Sequence, residues 1–342
     1  MKVEALGVAD EAAWDAFVRA HPAGSIYHLT GWRHLIAEVF GHGSHYLMAR
    51  DATGAVAGVL PLVRQRGLFG DALLSLPYFT YGGPLGTSEA VETALMHAGG
   101  ELARELGVRH VEFRGFAVRE PAWPVRTDKV VLHRPLPEDE DGLWRSLSTQ
   151  RRRQVKKARD GKSDVLIGAA ELLDDFYAVF AQNMRDLGTP VYARQFFAAM
   201  LARFPEAARI VAVRRDGRAA GAAFLVGFRD RIEVPWVSTL REMNASFVNT
   251  LLYWEQLRYA VGAGYRVFDF GRSSIDSGTY EFKRQWGAEP VQLYWQYWLA
   301  PGRGLPGLTP SSPKFRLLVR AWQRLPLAIA NRLGPRLVKD LP

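Results

Sequence analysis

The strongest constraint on this chain is that it runs through one order of elements twice. Gly107-Val-Arg-His-Val-Glu-Phe-Arg-Gly and Gly264-Tyr-Arg-Val-Phe-Asp-Phe-Gly-Arg each follow a helical stretch stopped by glycine, and each reads as a buried strand. The first copy begins with a strand near residues 2–5 and helices over Glu11–Ala20 and 30–39, with Thr30 as cap. A hairpin follows, with strands at 45–50 and 55–63 across the turn Asp51-Ala-Thr-Gly. A helix over Glu89–Leu106, a strand at 108–113 and a closing strand near 130–133 complete that half. The second copy has a strand at 165–167, helices at 171–187 and 194–204, and strands at 209–214, 218–227 and 232–237. It ends with a helix at 247–262, a strand at 266–270 and a closing strand at 290–299. The expectation is an α+β chain of two tandem domains, each a mixed, mostly antiparallel sheet flanked by helices. Residues 1–145 form the first domain, 146–163 a basic junction helix, 164–305 the second domain, and 306–342 a basic amphipathic tail.

The run from Phe268 to Pro290 concentrates polar groups just past a strand end, where α/β folds bind ligands. Gly271 frees the backbone to turn, and Arg272, Ser273, Ser274 and Asp276 follow. Thr279 can cap a short helix that sets Phe282 and Trp286 on one face and leaves Lys283 aimed elsewhere. Lys283 is the first candidate for chemistry, against a solvated surface lysine.

The chain of 342 residues contains no cysteine, which removes disulfides, thiol nucleophiles and cysteine-ligated metals and fits a reducing compartment. Met1 to Phe17 lacks the basic start and apolar core of a signal peptide, and no run approaches the ~20 apolar residues that span a bilayer. A cytoplasmic location is expected, and the scattered histidines predict no metal site. The net charge of +9 is uneven. Residues 150–162 carry Arg151, Arg152, Arg153, Lys156, Lys157, Arg159 and Lys162 against Asp160 alone. Residues 311–342 carry seven basic residues against Asp340, so the remainder is mildly acidic. A helix over 150–162 would be cationic on almost every face and is expected to meet water or anions rather than bury itself.

The element order is that of the GNAT acyltransferase fold in both halves. The chain also resembles the FemAB family, whose members join two GNAT-like domains and transfer amino acids from aminoacyl-tRNA to cell-wall precursor peptides. The resemblance is carried by Tyr81-Gly-Gly-Pro-Leu, Ser148-Thr-Gln-Arg-Arg-Arg-Gln-Val-Lys-Lys-Ala-Arg, Phe268-Asp-Phe-Gly-Arg and Tyr280-Glu-Phe-Lys-Arg-Gln-Trp-Gly. Ala181-Gln-Asn-Met-Arg-Asp-Leu-Gly-Thr-Pro-Val-Tyr and Gly271-Arg-Ser-Ser look like the branch that accompanies exosortase, PEP-CTERM and exopolysaccharide systems of Gram-negative bacteria. Two departures stand out. No long helical-hairpin arm interrupts 164–300. Arg241-Glu-Met-Asn-Ala-Ser stands where CoA-using enzymes have glycines that let the backbone approach phosphate.

The resemblance implies transfer of an acyl or aminoacyl group to an amine, with aminoacyl-tRNA or acyl-CoA as co-substrate and no tightly bound cofactor. The acceptor it implies is a small molecule or a lipid-linked glycan or peptide of the envelope or an exopolysaccharide. Lys283 can stabilise the oxyanion or a donor phosphate, Asp269 can take the amine's proton, and Tyr280 can protonate a leaving group. Asp269 equally fits a carboxylate that caps the adjacent loop, and Tyr280 a core-edge aromatic. Binding candidates are Arg151, Arg152 and Lys156 on the junction helix, and Tyr81, Gly82 and Gly83 in the first half. Arg185 at a helix end, Ser246 and Asn249 as caps of the helix after 246, and Arg272, Ser273, Ser274 and Trp286 complete the set. For Tyr81–Gly83 a tight turn before a helix is the competing reading. Rival readings of the whole are an acyl-CoA-dependent N-acetyltransferase and a non-catalytic scaffold that binds polyanions. The tail pairs Phe315, Leu318, Val319 and Trp322 with Arg316, Arg320 and Arg324, which suits either a helix on the anionic inner membrane face or packing on the second domain. A monomer is expected, with its one active centre in the second half and the first half on the acceptor side.

Overall fold

The long strand expected over 55–63 breaks at Pro61, which has no N–H to give a ladder. The structure, a computed structural model, describes residues 1–67, 70–159, 163–306 and 313–341. Its first elements are β1 (Lys2–Ala5), α1 (Glu11–Ala20), α2 (Gly31–Phe40), β2 (Gly43–Ser44), β3 (Leu47–Arg50), β4 (Val56–Leu60) and β5 (Leu62–Gly67). Next come β6 (Gly70–Ser75), β7 (Leu85–Gly86), α3 (Glu89–Leu106), β8 (His110–Gly115), β9 (Val125–Arg126), β10 (Lys129–Pro135), α4 (Glu140–Ser146) and α5 (Thr149–Arg159). Then follow β11 (Ser163–Gly168), α6 (Leu173–Leu187), α7 (Arg194–Arg203), β12 (Ala208–Arg215), β13 (Arg218–Phe228), β14 (Arg231–Thr239) and α8 (Val248–Gly262). The last are β15 (Val267–Ser274), α9 (Gly278–Arg284), β16 (Glu289–Gln292), β17 (Tyr294–Leu299), α10 (Pro313–Gln323) and α11 (Leu327–Val338).

The chain forms two compact units. Unit 1 holds Met1–Val130, Val291–Gly307 and Asp340–Pro342, and unit 2 holds Val131–Pro290 and Leu308–Lys339. Unit 1 contains a four-stranded sheet, β1-β3-β4-β7, and a six-stranded sheet, β2-β5-β6-β8-β17-β9. The hairpin β5–β6 has no counterpart among the expectations. Arg64, Arg66 and Asp71 disguise its pattern in the sequence, although Val63, Leu73 and Leu74 are buried and the Arg64 guanidinium meets Asp71 at 2.6 and 2.8 Å.

The closing strands need a correction. β10, expected to close the first half, lies beside β15 in the sheet β11-β12-β13-β14-β15-β10-β16, while β17, expected to close the second, lies beside β8 in unit 1. Side chains explain the placement. Tyr297 stands opposite Glu112 and donates to its carboxylate at 2.8 Å, and Trp298 joins Leu62, Leu95 and Phe113 in the unit 1 core. Burying a side chain of that size contributes about 2–3 kcal/mol. Gly100 in α3 makes the room, since a Cβ there would lie 2.9 Å from the Trp298 ring. On β10, Val131 and Leu132 are fully buried, and Arg134 donates to the Trp286 carbonyl at 2.7 Å. A strand pattern reads the same whichever sheet accepts it, so sequence periodicity could not separate the two outcomes.

In unit 2, β12, β13 and β14 are antiparallel, and β14 then pairs in parallel with β15 over Arg231–Glu233 and Val267–Asp269. A bulge follows at once. Phe224 opposes Trp236 and Val226 opposes Glu233, leaving Val234 and Pro235 against Leu225 alone. Pro235 cannot donate to a ladder, and a bulge bends the strand that carries it, so β14 turns away from β15 at this point. α8 is buried nearly all round, Thr250, Glu255 and Gln256 included, between α4 and α5 on one side and β12–β14 on the other.

Two expectations about basic segments also change. The junction helix does bury a face: Arg151, Val155 and Ala158 are buried, and α5 packs on α8. Its cations lie over aromatic rings, with Lys157 5.3 Å from the Phe247 centroid, Arg159 5.6 Å from Trp254, and Lys156 6.0 Å from Trp144. Long basic side chains can cover apolar surface this way without losing their charge to a dry interior. The predicted end of that helix, 160–162, lies outside the described residues. The tail packs within unit 2: α10 and α11 both contact α6.

Candidate functional site

Where β14 departs from β15, a cavity of about 230 Å³ opens in unit 2. Val237, Ser238 and Thr239 of β14 form one wall, Asn249 and Tyr253 of α8 a second, and Gly278, Thr279 and Phe282 at the start of α9 a third, with Asn183 of α6 completing the lining. Asn183 donates to Ser238 Oγ at 3.0 Å, which fixes the amide's orientation. Burial pushes the Tyr253 phenol far above its ordinary range, so it stays protonated. The lining combines neutral hydrogen-bonding groups with two aromatic faces. It suits a polar, amide- or ester-bearing chain better than an ion or a purely apolar ligand.

Beside this pocket the strand end and α9 hold a buried charge cluster. Gly271 lies within β15 at φ +71°, a left-handed kink that glycine takes without a Cβ clash. Its N–H donates to Asp269 Oδ1 at 2.8 Å, and His133 on β10 lies 3.1 Å from Asp269 Oδ2. Asp269 is fully buried, so the loop-capping reading describes its contacts better than the base reading. The Lys283 ammonium is buried too, and donates to the Gly271 and Arg272 carbonyls, both at 3.0 Å. An ammonium has three donors. Among the described residues the third has no partner. Burial pulls Lys283 down to about 8, opposed by the nearby carboxylates of Asp269 and Glu233. Glu233 and Asp269 are the last register partners on β14 and β15, which sets two acids and one ammonium where the pairing of these strands stops.

The other expected residues fall in several places. Ser277, not Thr279, caps α9, accepting from the Tyr280 N–H at 3.2 Å. Phe282 and Trp286 do share a face, and both meet Tyr253, at ring-centroid distances of 5.1 and 5.9 Å. Arg151 lies 5.0 and 5.1 Å from the Phe282 and Trp286 centroids and donates to Gln285 Oε1, so it braces α9. Arg152 and Lys156 stay at the helix surface, and Arg272 is exposed on β15, which runs on to Ser274 where a loop was expected after Gly271. Ser273 Oγ is buried without a hydrogen-bond partner among the described residues, while the Ser274 carbonyl accepts from Ser277. Tyr280 is half-buried outside the pocket lining.

Ser246 does not cap α8. Its hydroxyl donates back to the Met243 carbonyl at 2.7 Å, and the N-cap is Phe247 in the left-handed region at φ 56°. Asn249 is the one expected residue that lines the pocket. Arg185 is held by Asp186 at 2.6 Å and by the Leu325 carbonyl of the tail at 3.0 Å, so its engagement is with its own unit.

In unit 1, Tyr81 packs on Tyr27 and Phe116, and the Gly83 carbonyl faces His28 Nε2 at 3.0 Å. Gly82 has φ +142°, and a Cβ on Gly83 would lie 2.6 Å from the Arg114 carbonyl. These contacts favour the tight-turn reading. Gly83→Ala should destabilise the protein by about 1–3 kcal/mol in urea unfolding, and an unchanged midpoint would show that the backbone there can move.

Asn183, Ser238, Thr239 and Tyr253 are absent from the residues expected at the site. Asn183 does sit in the Ala181–Tyr192 run that looks like one branch of that family, and Pro235 within β14 is the local sign of an opening. His133 had no signal, because only the placement of β10 brings it to Asp269.

Residues 145–284 match the acetyltransferase (GNAT) domain family. No protein with a curated description is matched. Among solved structures, FemX is similar over 86% of this chain and 97% of its own, at 14% identity and a TM-score of 0.67. The C-terminal domain of a putative lysylphosphatidylglycerol synthetase from Agrobacterium fabrum is similar over 85% and 91%, at 12% identity and a TM-score of 0.57. A tandem GNAT protein from the clavulanic acid biosynthesis pathway is similar over 87% and 98%, at 16% identity and a TM-score of 0.56. The architecture is therefore that of tandem GNAT-like proteins. Among the described residues no helix is long and apolar enough to cross a membrane.

Proposed function

We propose that this protein transfers an acyl or aminoacyl group from an activated donor to an amine of an envelope or exopolysaccharide precursor, with unit 2 holding the active centre. The observation that carries the reading is the bulge at Val234–Pro235, which turns β14 from β15 and opens a pocket lined by hydrogen-bonding side chains. The donor chain enters there, with its amides facing Asn183, Ser238, Thr239 and Asn249. Its reactive carbonyl lies toward the Lys283 ammonium, whose third hydrogen meets the oxyanion as the amine adds. Nothing covalent forms on the enzyme: as the tetrahedral adduct collapses, the bond from the carbonyl carbon to the donor's thioester sulfur or ribose ester oxygen breaks, and CoA or the RNA leaves. One such donor, aimed where charge develops, contributes about 3–4 kcal/mol to the transition state.

Asp269 and His133 serve as a support that keeps the Gly271 turn and the ammonium in place. Among the described residues the pocket lining contains no carboxylate or imidazole, so the amine arrives as the free base and the proton it sheds on addition passes to water or to the departing sulfur or ribose oxygen of the donor. Acyl-CoA is the donor favoured by the match of residues 145–284, and aminoacyl-tRNA is the alternative kept from the family resemblance. The likeness to FemX and to a lipid-modifying synthetase domain supports a precursor or lipid-linked acceptor.

Calorimetric titration with acetyl-CoA and with a short aminoacylated RNA tests the donor. One of the two should bind, and Ser238→Trp, which fills the pocket, should abolish that binding in a variant whose circular dichroism shows it folded at the assay temperature. Binding of neither, or binding that survives Ser238→Trp, would overturn the assignment of the pocket.

A further inference from the structure

We infer that α10 and α11 dock the protein on a membrane surface that carries anionic phospholipid. Each helix packs on α6 with one face and leaves the opposite face in solvent. In α10 the inward face is set by Val319 against Gly188 and by Gln323, whose side-chain amide donates to the Asp186 carbonyl at 3.1 Å. In α11 it is set by Ala330, Gly334 and Val338, with Gly334 seated so closely on Val191 that a Cβ would lie 2.8 Å from its backbone nitrogen. Packing on the domain therefore uses only half of each helix.

The other halves are apolar and basic together. Leu317 and Leu318 are each 68% exposed, and Ile329 and Leu333 are 46% and 40% exposed. Beside them stand Arg320 on α10, Arg324 just past its end, and Arg332 and Arg336 on α11, all exposed. No acidic residue occurs between 317 and 339. Large aliphatic side chains held in water beside arginines have a natural counterpart in the interface of an anionic bilayer, where leucines enter the acyl boundary and guanidinium groups meet phosphates. A second copy of the chain would bring the same uncompensated arginines together. A nucleic acid would use the arginines and leave the leucines in water. The inference stands on this surface alone, whichever group the protein transfers.

Flotation of the full chain with phosphatidylcholine vesicles, with and without phosphatidylglycerol, tests it. The protein should float with the anionic vesicles only, and added salt should weaken the association. Leu317→Ser combined with Leu318→Ser should weaken it at least tenfold, and each of Arg320→Gln and Arg324→Gln by about fivefold. All four side chains are exposed, so unfolding temperatures should not change. Absence of flotation would overturn the inference. So would binding that tolerates loss of both leucines, which would mean capture by charge alone. A dimer in light scattering that the leucine variant abolishes would assign the face to a second copy instead.

Discussion

Lys283→Met should lower kcat by about 100- to 1000-fold and leave KM almost unchanged, because the third ammonium hydrogen is assigned an interaction made only in the transition state. A KM that rises with kcat intact would move Lys283 to ground-state binding, and unchanged turnover would remove it from the mechanism. The same variant has a signature in stability. Lys283 has an ordinary value of 10.5 and is pulled down to about 8 by burial in the folded chain. Between those values the unfolded chain binds more protons than the folded one, so stability relative to the methionine variant rises with pH from about 8 to 10.5. It is flat below that window. The full difference is on the order of 3 kcal/mol. Urea unfolding of both proteins at neutral and alkaline pH measures it, and parallel curves would mean that the ammonium is not buried in solution. Because the charged form is the one assigned to the oxyanion, kcat should also fall as pH passes about 8.

Arg114→Met should cost about 3–5 kcal/mol of stability, the second large effect. Arg114 and Glu112 are both buried and joined at 2.5 Å, with Tyr297 donating to the same carboxylate and Arg114 also donating to the Phe79 carbonyl at 2.6 Å. Burial alone would raise Glu112, but the Arg114 charge and the Tyr297 hydroxyl outweigh it and hold the carboxyl below its usual value. Removing the arginine leaves that carboxylate in the core with one neutral donor. Thermal or urea unfolding checks the loss, and a shift below 1 kcal/mol would show that water reaches Glu112. The contrast between the units is chemical. Glu112 and Asp269 occupy the same place in the repeat, and each is met by a side chain from the strand added beside it, Tyr297 in one case and His133 in the other. In unit 1 an arginine then closes the site. In unit 2 glycine stands at that position and a lysine arrives from α9 with one donor to spare.

Much of this was legible in residue order. The repeat predicted two units of one fold, and helical periodicity placed α1 and α3 at their observed ends, with a glycine stop after α3. Those signals are local: they depend on a few neighbours along the chain and survive any tertiary arrangement. The stretch 268–290 holds Asp269 and Lys283, two of the three members of the buried charge cluster in unit 2. Other features were beyond the reach of local pattern. The junction helix looked too cationic to pack, and only the rings of Trp144, Phe247, Trp254, Phe282 and Trp286 beneath it make packing possible. Arg151 looked like a free anion ligand for the same reason.

By itself, then, the sequence determined the kind of elements, their order, their duplication and the identity of the lysine worth testing. Tertiary structure alone decided which sheet receives each closing strand and which side chains line the pocket. It also decided which half of each tail helix stays in water. Those outcomes depend on contacts between residues far apart in the chain, such as Trp298 with Gly100 and His133 with Asp269, whose energies have no trace in the local pattern of either partner.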